Sequence, residues 1–454
     1  MTQQKNTQTI GMAFMGMIFF IFGFVTTFNI TLADKFKAVF DLSNWQAQLV
    51  NGAFFLTYFL LSFASGGIIK KIGYKGGVIL GLILVAAGSF LFFPAAKATS
   101  FPFFLVAIFI MASGVVFLQV AANPYVTALG PSETSSGRLN LTQALNSIAT
   151  TLAPVIAGRF VFKQAAGSAL DAALIPEEAA SQAAQTVPVP FLVIGIIVLV
   201  IAVIIYMLKL PTIPTEGIQR KSVWKYSHVV LGSLGIFFYV GAEVGSAAMI
   251  QRYVQEAGAF TNTAEAAKMI ALYWGGAMIG RFYGSFMLSN VDRSKKKMYT
   301  ALILVLAFLV GLSVKRNISD ALIFVGIAFI NYLAMMLGSG KANKTLAVFA
   351  IIAALLALAT MTVPSGLILW VGCSIGFFNS IMFPNIFALS VDGLDKGELS
   401  MASGIINSLI VGGAVVPVLM GLVADGFGVR FSFILPVICY AYILFFALVG
   451  SKHK

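Results

Sequence analysis

The sequence predicts an all-α polytopic membrane protein of two pseudo-symmetric six-helix halves, with a two-helix hairpin inserted in the second. Three observations predict it: a hydrophobic run that restarts fourteen times, an internal repeat, and cations gathered on alternate loops. With 59% hydrophobic and 10% charged residues and a mean hydropathy of +0.96, lipid must solvate most of the side chains. Backbone amides and carbonyls in lipid pair within their own segment, so the runs are helices.

The runs lie at 10–32, 45–67, 76–97, 102–129, 139–162, 189–210, 227–250, 268–289, 299–314, 320–339, 345–363, 365–391, 401–422 and 431–450. The first is too long for a signal-peptide core and no small-residue cleavage site follows it, so it reads as a retained helix. Each later run is closed by Lys, Arg, Gly or Pro. With the N-terminus inside, 18 of the 29 basic residues fall on cytoplasmic loops and tails, among them Lys70, Lys71, Lys75, Arg138, Lys295, Lys296, Lys297, Lys341 and Lys344. Ten fall on outer loops and helix ends, and Arg281 lies inside a helix. This asymmetry places both termini in the cytoplasm, and the expected location is a bacterial inner (plasma) membrane. The net charge of +13 is spread over these loops, so nucleic acid is not the expected partner; the lipid bilayer is, with the chain acting as a monomer. Cys373 and Cys439 fall inside apolar runs and pack as small hydrophobes, and no metal site is implied.

The repeat pairs the fourth run with the twelfth. Gln119, Pro124, Ala128 and Leu129 align with Asn379, Pro384, Ala388 and Leu389 at a constant offset of 260. The next runs match too: Asn146-Ser147 precedes Pro154 and Gly158, as Asn407-Ser408 precedes Pro417 and Gly421, with spacing that differs by two residues. Two parallel six-helix halves follow, 1–210 and 227–454, joined by a cytoplasmic linker at 211–226. If run four matches run twelve, two runs are extra, and the hairpin at about 298–343 is the candidate. An inserted pair preserves the orientation of everything after it.

That architecture is the major facilitator fold, and Gly66-x-x-x-Lys70-Lys71-x-Gly73-Tyr74-Lys75 resembles the superfamily's helix 2–3 signature, with Lys70 where an Asp is usual. Gly23 to Asn29 in the first helix resembles the fucose–galactose–glucose symporter family of that superfamily. So do Ala121-Ala122-Asn123-Pro124-Tyr125-Val126-Thr127, Leu129-Gly130-Pro131, Arg138-Leu139-Asn140-Leu141-x-Gln143-x-x-Asn146-Ser147, Tyr239 to Glu243, and Gly280-Arg281-Phe282. The resemblance spans nearly the whole chain except 298–343. It implies import of a hexose or deoxyhexose coupled to protons or sodium. The proton-coupled fucose permeases carry an Asp directly after the residue matching Asn29, and a Glu in helix 4; here those positions are Ile30 and Gln119.

A sugar offers a ring of hydroxyls and apolar C–H faces, so its site needs amide donors and acceptors around an aromatic ring. The expected substrate-binding residues are Gln119, Asn123, Asn146, Asn140, Gln143, Asn29, Asn51, Asn379, Asn407 and Trp274. Gln119 and Asn123 share a helix face; Asn140, Gln143 and Ser147 form a stripe. Each amide has an equal structural use, bonding a neighbouring helix. Glu243 and Arg281 are the clearest charges inside helices and are the candidates for cation coupling or for a charge pair. Asp34, Arg252 and Asp425 sit near outer ends. The reading is a secondary active transporter of a neutral hexose-type sugar, working by alternating access without an organic cofactor. The coupled ion is sodium, which is favoured, or a proton. An uncoupled facilitator and a non-transporting sensor are the rivals; a sensor should carry a soluble output domain. No nucleophile–base pair recurs in the helices, which argues against an enzyme.

Charge asymmetry generates a direct test. In the hairpin, Ser319→Cys should label with an impermeant thiol reagent from the outside and Ala342→Cys from the inside. Labelling of both from one face would remove the hairpin assignment.

Overall fold

The computed structural model describes residues 2–30, 40, 44–157, 188–208, 211, 213–214, 222–256, 263–315 and 317–452. Among these residues there is no strand. Eleven helical stretches among them are long and apolar enough to cross a bilayer; one, Gly52–Lys97 at 46 residues, takes in both the second and third runs. By contacts the chain groups into two units. The first holds Met1–Tyr125, Ile148–Ile218 and Lys396–Ser408; the second holds Val126–Ser147, Gln219–Asp395 and Leu409–Lys454.

The first unit begins with α1 (Thr2–Ile30) and α2 (Asn44–Lys97), followed by α3 (Phe101–Ala128). Helix α2 is two helices joined at Gly73, whose φ of 77° and ψ of 166° are open to glycine and strained for other residues. The helix 2–3 signature therefore has a turn inside it, and its other glycine has a different task. A Cβ on Gly66 would sit 2.6 Å from the Ser400 carbonyl oxygen on α13 (Leu399–Ser408), so only a bare Cα lets these backbones meet. The second limb of α2 packs on α5 (Pro188–Met207), where the Phe92 and Phe191 rings stack at 3.8 Å. Lys75, at the start of that limb, donates to the Tyr206 and Leu208 carbonyls at 2.9 and 2.8 Å. A cation thus takes up the free carbonyls at the end of α5.

Helix α4 (Ser135–Ala157) contributes Ser135–Ser147 to the second unit. There Arg138 reaches back to the end of α3 and donates to the carbonyls of Val126, Thr127, Gly130 and Pro131. The unit continues with α6 (Ser227–Glu256), α7 (Thr263–Met287), α8 (Arg293–Lys315), α9 (Ile318–Leu337) and α10 (Ala342–Thr362). Asn317 caps α9, its side chain accepting from the Ser319 amide at 2.9 Å. Helices α11 (Ser365–Asn379) and α12 (Met382–Val391) form the twelfth run, interrupted at Ser380–Ile381. Proline at 384 has no N–H for the Ser380 carbonyl four residues back, so the ladder opens there. Pro124, its counterpart in the repeat, lies inside a helix that runs on unbroken. The chain closes with α14 (Gly412–Phe427), α15 (Val429–Ser432) and α16 (Ile434–Phe445), then a π turn at Phe446–Gly450. Helices α8 and α9 turn Leu302, Val305, Leu309, Leu322, Ile330 and Leu333 outward, an apolar face suited to lipid.

The close approach at Gly66 should be sensitive to one methyl group. Gly66→Ala should lower the thermal midpoint of detergent-solubilised protein, by the equivalent of about 1–3 kcal/mol of overpacking. Gly67→Ala, whose Cβ would first meet the Met401 sulfur at 3.9 Å, should leave it unchanged.

Candidate functional site

In the first unit the sequence candidates Asn29, Gln119 and Asn123 are buried. Helix α1 carries Asn29, while Gln119 and Asn123 are one turn apart on α3. Among the described residues, both amide atoms of Asn29, both of Asn123 and the Gln119 Oε1 lack a hydrogen-bond partner. Such groups cost about 1–3 kcal/mol each when left unpaired. Asn407, also in this unit, is used differently. Its Nδ2 donates to the Ser403 carbonyl and hydroxyl on its own helix at 2.8 and 3.1 Å, while Oδ1 is unpaired. Asn51 lies on α2, but its side chain is outside the described residues, as is all of Asp34.

In the second unit the two intramembrane charges meet. Glu243 on α6 and Arg281 on α7 form an ion pair at 3.4 Å, with side chains 9% and 8% exposed. Tyr239, one turn before Glu243, donates its hydroxyl to Glu243 Oε1 at 2.6 Å. Arg281 uses its other nitrogens elsewhere. Its Nη1 donates to the Ser147 hydroxyl on α4 at 2.6 Å, and its Nε to the Ser380 carbonyl at 3.2 Å. Behind the pair, Tyr273 donates to the Glu243 backbone carbonyl at 2.9 Å, and Asn379 Nδ2 donates to the Tyr273 hydroxyl at 2.7 Å. Asn379, Ser246 and Tyr440 are buried together beside the pair, with the Tyr440 hydroxyl facing the Asn379 and Ser246 side chains. Trp274 is half-buried and meets Tyr273 edge-on at 5.3 Å.

The stripe on α4 divides. Asn140 Nδ2 donates to the Ser136 carbonyl at 2.8 Å and to Asn385 Oδ1 at 3.3 Å, and Asn385 donates to the Ala342 carbonyl at 3.1 Å. That is a joint between helices. Gln143 is buried, and its carbonyl accepts from Ser147; Asn146 is buried beside them. Arg252 and Asp425 pair with each other at 2.9 Å in an exposed bridge, a type worth about 0–1 kcal/mol. Cys373 and Cys439 are buried and unbridged.

The pairing of Glu243 with Arg281 was one of several options in the sequence, where neither Tyr239 nor Ser380 stood out as a site residue. Tyr239 carried a usable signal, four residues before a buried acid on the same helix face. The role of Ser380 rests on a backbone carbonyl, which no residue type announces.

Residues 12–343 match the Major Facilitator Superfamily. The glucose/galactose transporter of Brucella abortus biovar 1 (strain 9-941) is 36% identical over 459 residues, covering 99% of this chain and 97% of that protein. The L-fucose-proton symporter of Escherichia coli (strain K12) is 30% identical over 472 residues, covering 99% and 95%. The crystal structure of the E. coli fucose:proton symporter superposes with a TM-score of 0.77 at 27% identity, over 98% of this chain and 100% of that one. The signature glycines, the repeat and the whole-length match agree: the chain belongs to the Major Facilitator Superfamily, on its fucose–galactose–glucose symporter branch.

Proposed function

We propose that this protein imports a neutral hexose-type sugar by alternating access, coupled to a cation, with sodium favoured over a proton. The observation that carries the reading is the set of buried amides in the first unit: among the described residues, donor and acceptor of Asn29 and of Asn123 and the Gln119 Oε1 acceptor have no hydrogen-bond partner. A polyhydroxylated neutral ligand satisfies both kinds of atom at once. These residues offer no formal charge to balance an ionic substrate. The relatives named as glucose/galactose transporters and fucose-proton symporters agree with a sugar.

The choice of ion rests on what can titrate. The two positions where the fucose permeases are acidic are Ile30 and Gln119 here, and neither carries a proton. Glu243 is the remaining carboxylate in the network, and Arg281 stands against it. Neutral oxygens lie near it. Tyr440 is beside Asn379, Ser246 and Glu243, and the neutral oxygens of Asn379 and Ser246 can ligate sodium but do not exchange a proton with water. The second reading is an uncoupled facilitator. It is favoured by the same ion pair, since Arg281 supplies the countercharge from within the protein.

Counterflow of radiolabelled glucose, galactose and fucose in proteoliposomes tests the substrate class, and imposed sodium or pH gradients test the drive. Gln119→Ala should raise the sugar KM about 5- to 150-fold, as expected for about 1–3 kcal/mol per unpaired group, with normal membrane insertion. Unchanged KM would remove Gln119 from the site. Glu243→Gln should slow exchange without abolishing it and should abolish sodium-driven accumulation. Accumulation that needs no sodium and survives Glu243→Gln would overturn the coupling proposal, and equilibration without accumulation in the wild type would select the facilitator.

A further inference from the structure

Helices α8 and α9 are the pair that the internal repeat marks as additional, and their outer faces are apolar. Deep in α9, however, sits Asn331, fully buried. Its Nδ2 donates to the Phe377 carbonyl at 2.9 Å, while its Oδ1 has no partner. Phe377 lies in the last turn of α11, three residues before Ser380. A helix end leaves carbonyls without amides, and here side chains supply the donors. The Ser380 hydroxyl donates to the Phe377 carbonyl at 2.6 Å alongside Asn331. The Ser380 carbonyl, freed by Pro384, receives Arg281 Nε at 3.2 Å. A Cβ on Gly280 would collide with the Ser380 side chain, so α7 is held close to the break. Phe324, also on α9, packs its ring on Phe377 at 4.9 Å.

A half-satisfied amide is a poor choice for stability alone. A leucine there would bury its surface and leave no orphaned Oδ1. What Asn331 adds is a fixed position for the carbonyl end of α11. Through Ser380 that position sets where Arg281 stands, and through Arg281 the geometry of Glu243 and Ser147.

We propose that Asn331 is a positioning residue: from the additional hairpin it pins the broken end of α11, so that the Ser380 carbonyl holds Arg281 against Glu243. The effect on transport rests on the reading that the Glu243–Arg281 network serves the transport cycle. In the extra hairpin the chain thereby carries a strut for its charged network as well as a lipid-facing surface.

A double-mutant cycle tests this. Asn331→Leu should insert normally and slow sugar counterflow about tenfold, the loss expected of one buried hydrogen bond. If Asn331 acts through the charge pair, combining it with Glu243→Gln should slow counterflow no further than Glu243→Gln alone. Phe324→Leu, which loosens the same contact without touching the amide, should lower the thermal midpoint and leave the rate unchanged. Should Asn331→Leu fail to insert, Asn331→Ala replaces it, since a smaller side chain asks for no room. Additive rate losses in the cycle, or an Asn331 variant with the wild-type rate, would overturn the proposal. If the wild type gives no counterflow with any sugar tested, the functional reading has failed. A thermal cycle between Asn331→Leu and Arg281→Ala then decides the positioning alone: non-additive shifts keep it, and additive shifts remove it.

Discussion

A single missing amide hydrogen organises the centre of the second unit. Pro384 cannot donate to the Ser380 carbonyl, and in a bilayer no water stands by to take its place. Arg281 takes that carbonyl at 3.2 Å. A guanidinium can serve several acceptors in fixed directions, and this one also reaches the Ser147 hydroxyl and the Glu243 carboxylate. The charge pair, the break between α11 and α12, and the contact with α4 are one construction. An ion pair taken out of water is stable only when its remaining donors and acceptors are also met. Tyr239 on the carboxylate and Ser380 on the guanidinium meet that requirement.

Buried amides in this chain have two distinct fates, and side-chain chemistry alone does not separate them. Asn140 Nδ2 is spent on Asn385 Oδ1, and Asn385 Nδ2 on the Ala342 carbonyl, joining helices, while Asn140 Oδ1 is left over. Asn407 turns back on its own helix. Asn29 and Asn123 are as fully buried, yet among the described residues neither amide is paired. The difference lies in what the neighbouring helices present to them. Where a carbonyl or a second amide lies within reach, an asparagine becomes structural; where none does, the amide is available to a ligand.

Helix ends repeat that logic at the rims. Lys75 takes the last carbonyls of α5 and Arg138 takes those of α3. Cations at helix C-termini are favoured both by hydrogen bonding and by the helix dipole. The residues that the positive-inside pattern counts as loop charge are therefore, in these two cases, also helix caps.

The sequence by itself determined the membrane-spanning all-α fold, because a bilayer permits few alternatives for long apolar runs. It determined the repeat at Gln119 and Asn379, the proline positions, and the presence of two charges within helices. Gly66 and Gly73 were legible as a pair in a signature, but their separate tasks were not. One needs a φ of 77° at its own Cα, and the other needs Ser400, more than 300 residues away, to arrive against it. The same limit applies to Asn140, which reads as a ligand residue in its stripe and bonds Asn385 in the fold. Tertiary structure alone decided which amides are paired, that Arg281 meets Glu243, and that Asn331 holds the Phe377 carbonyl. Periodicity states which face of a helix a side chain occupies. Whether that side chain finds a partner depends on a backbone carbonyl or a carboxylate brought in by another helix, and no local pattern encodes its arrival.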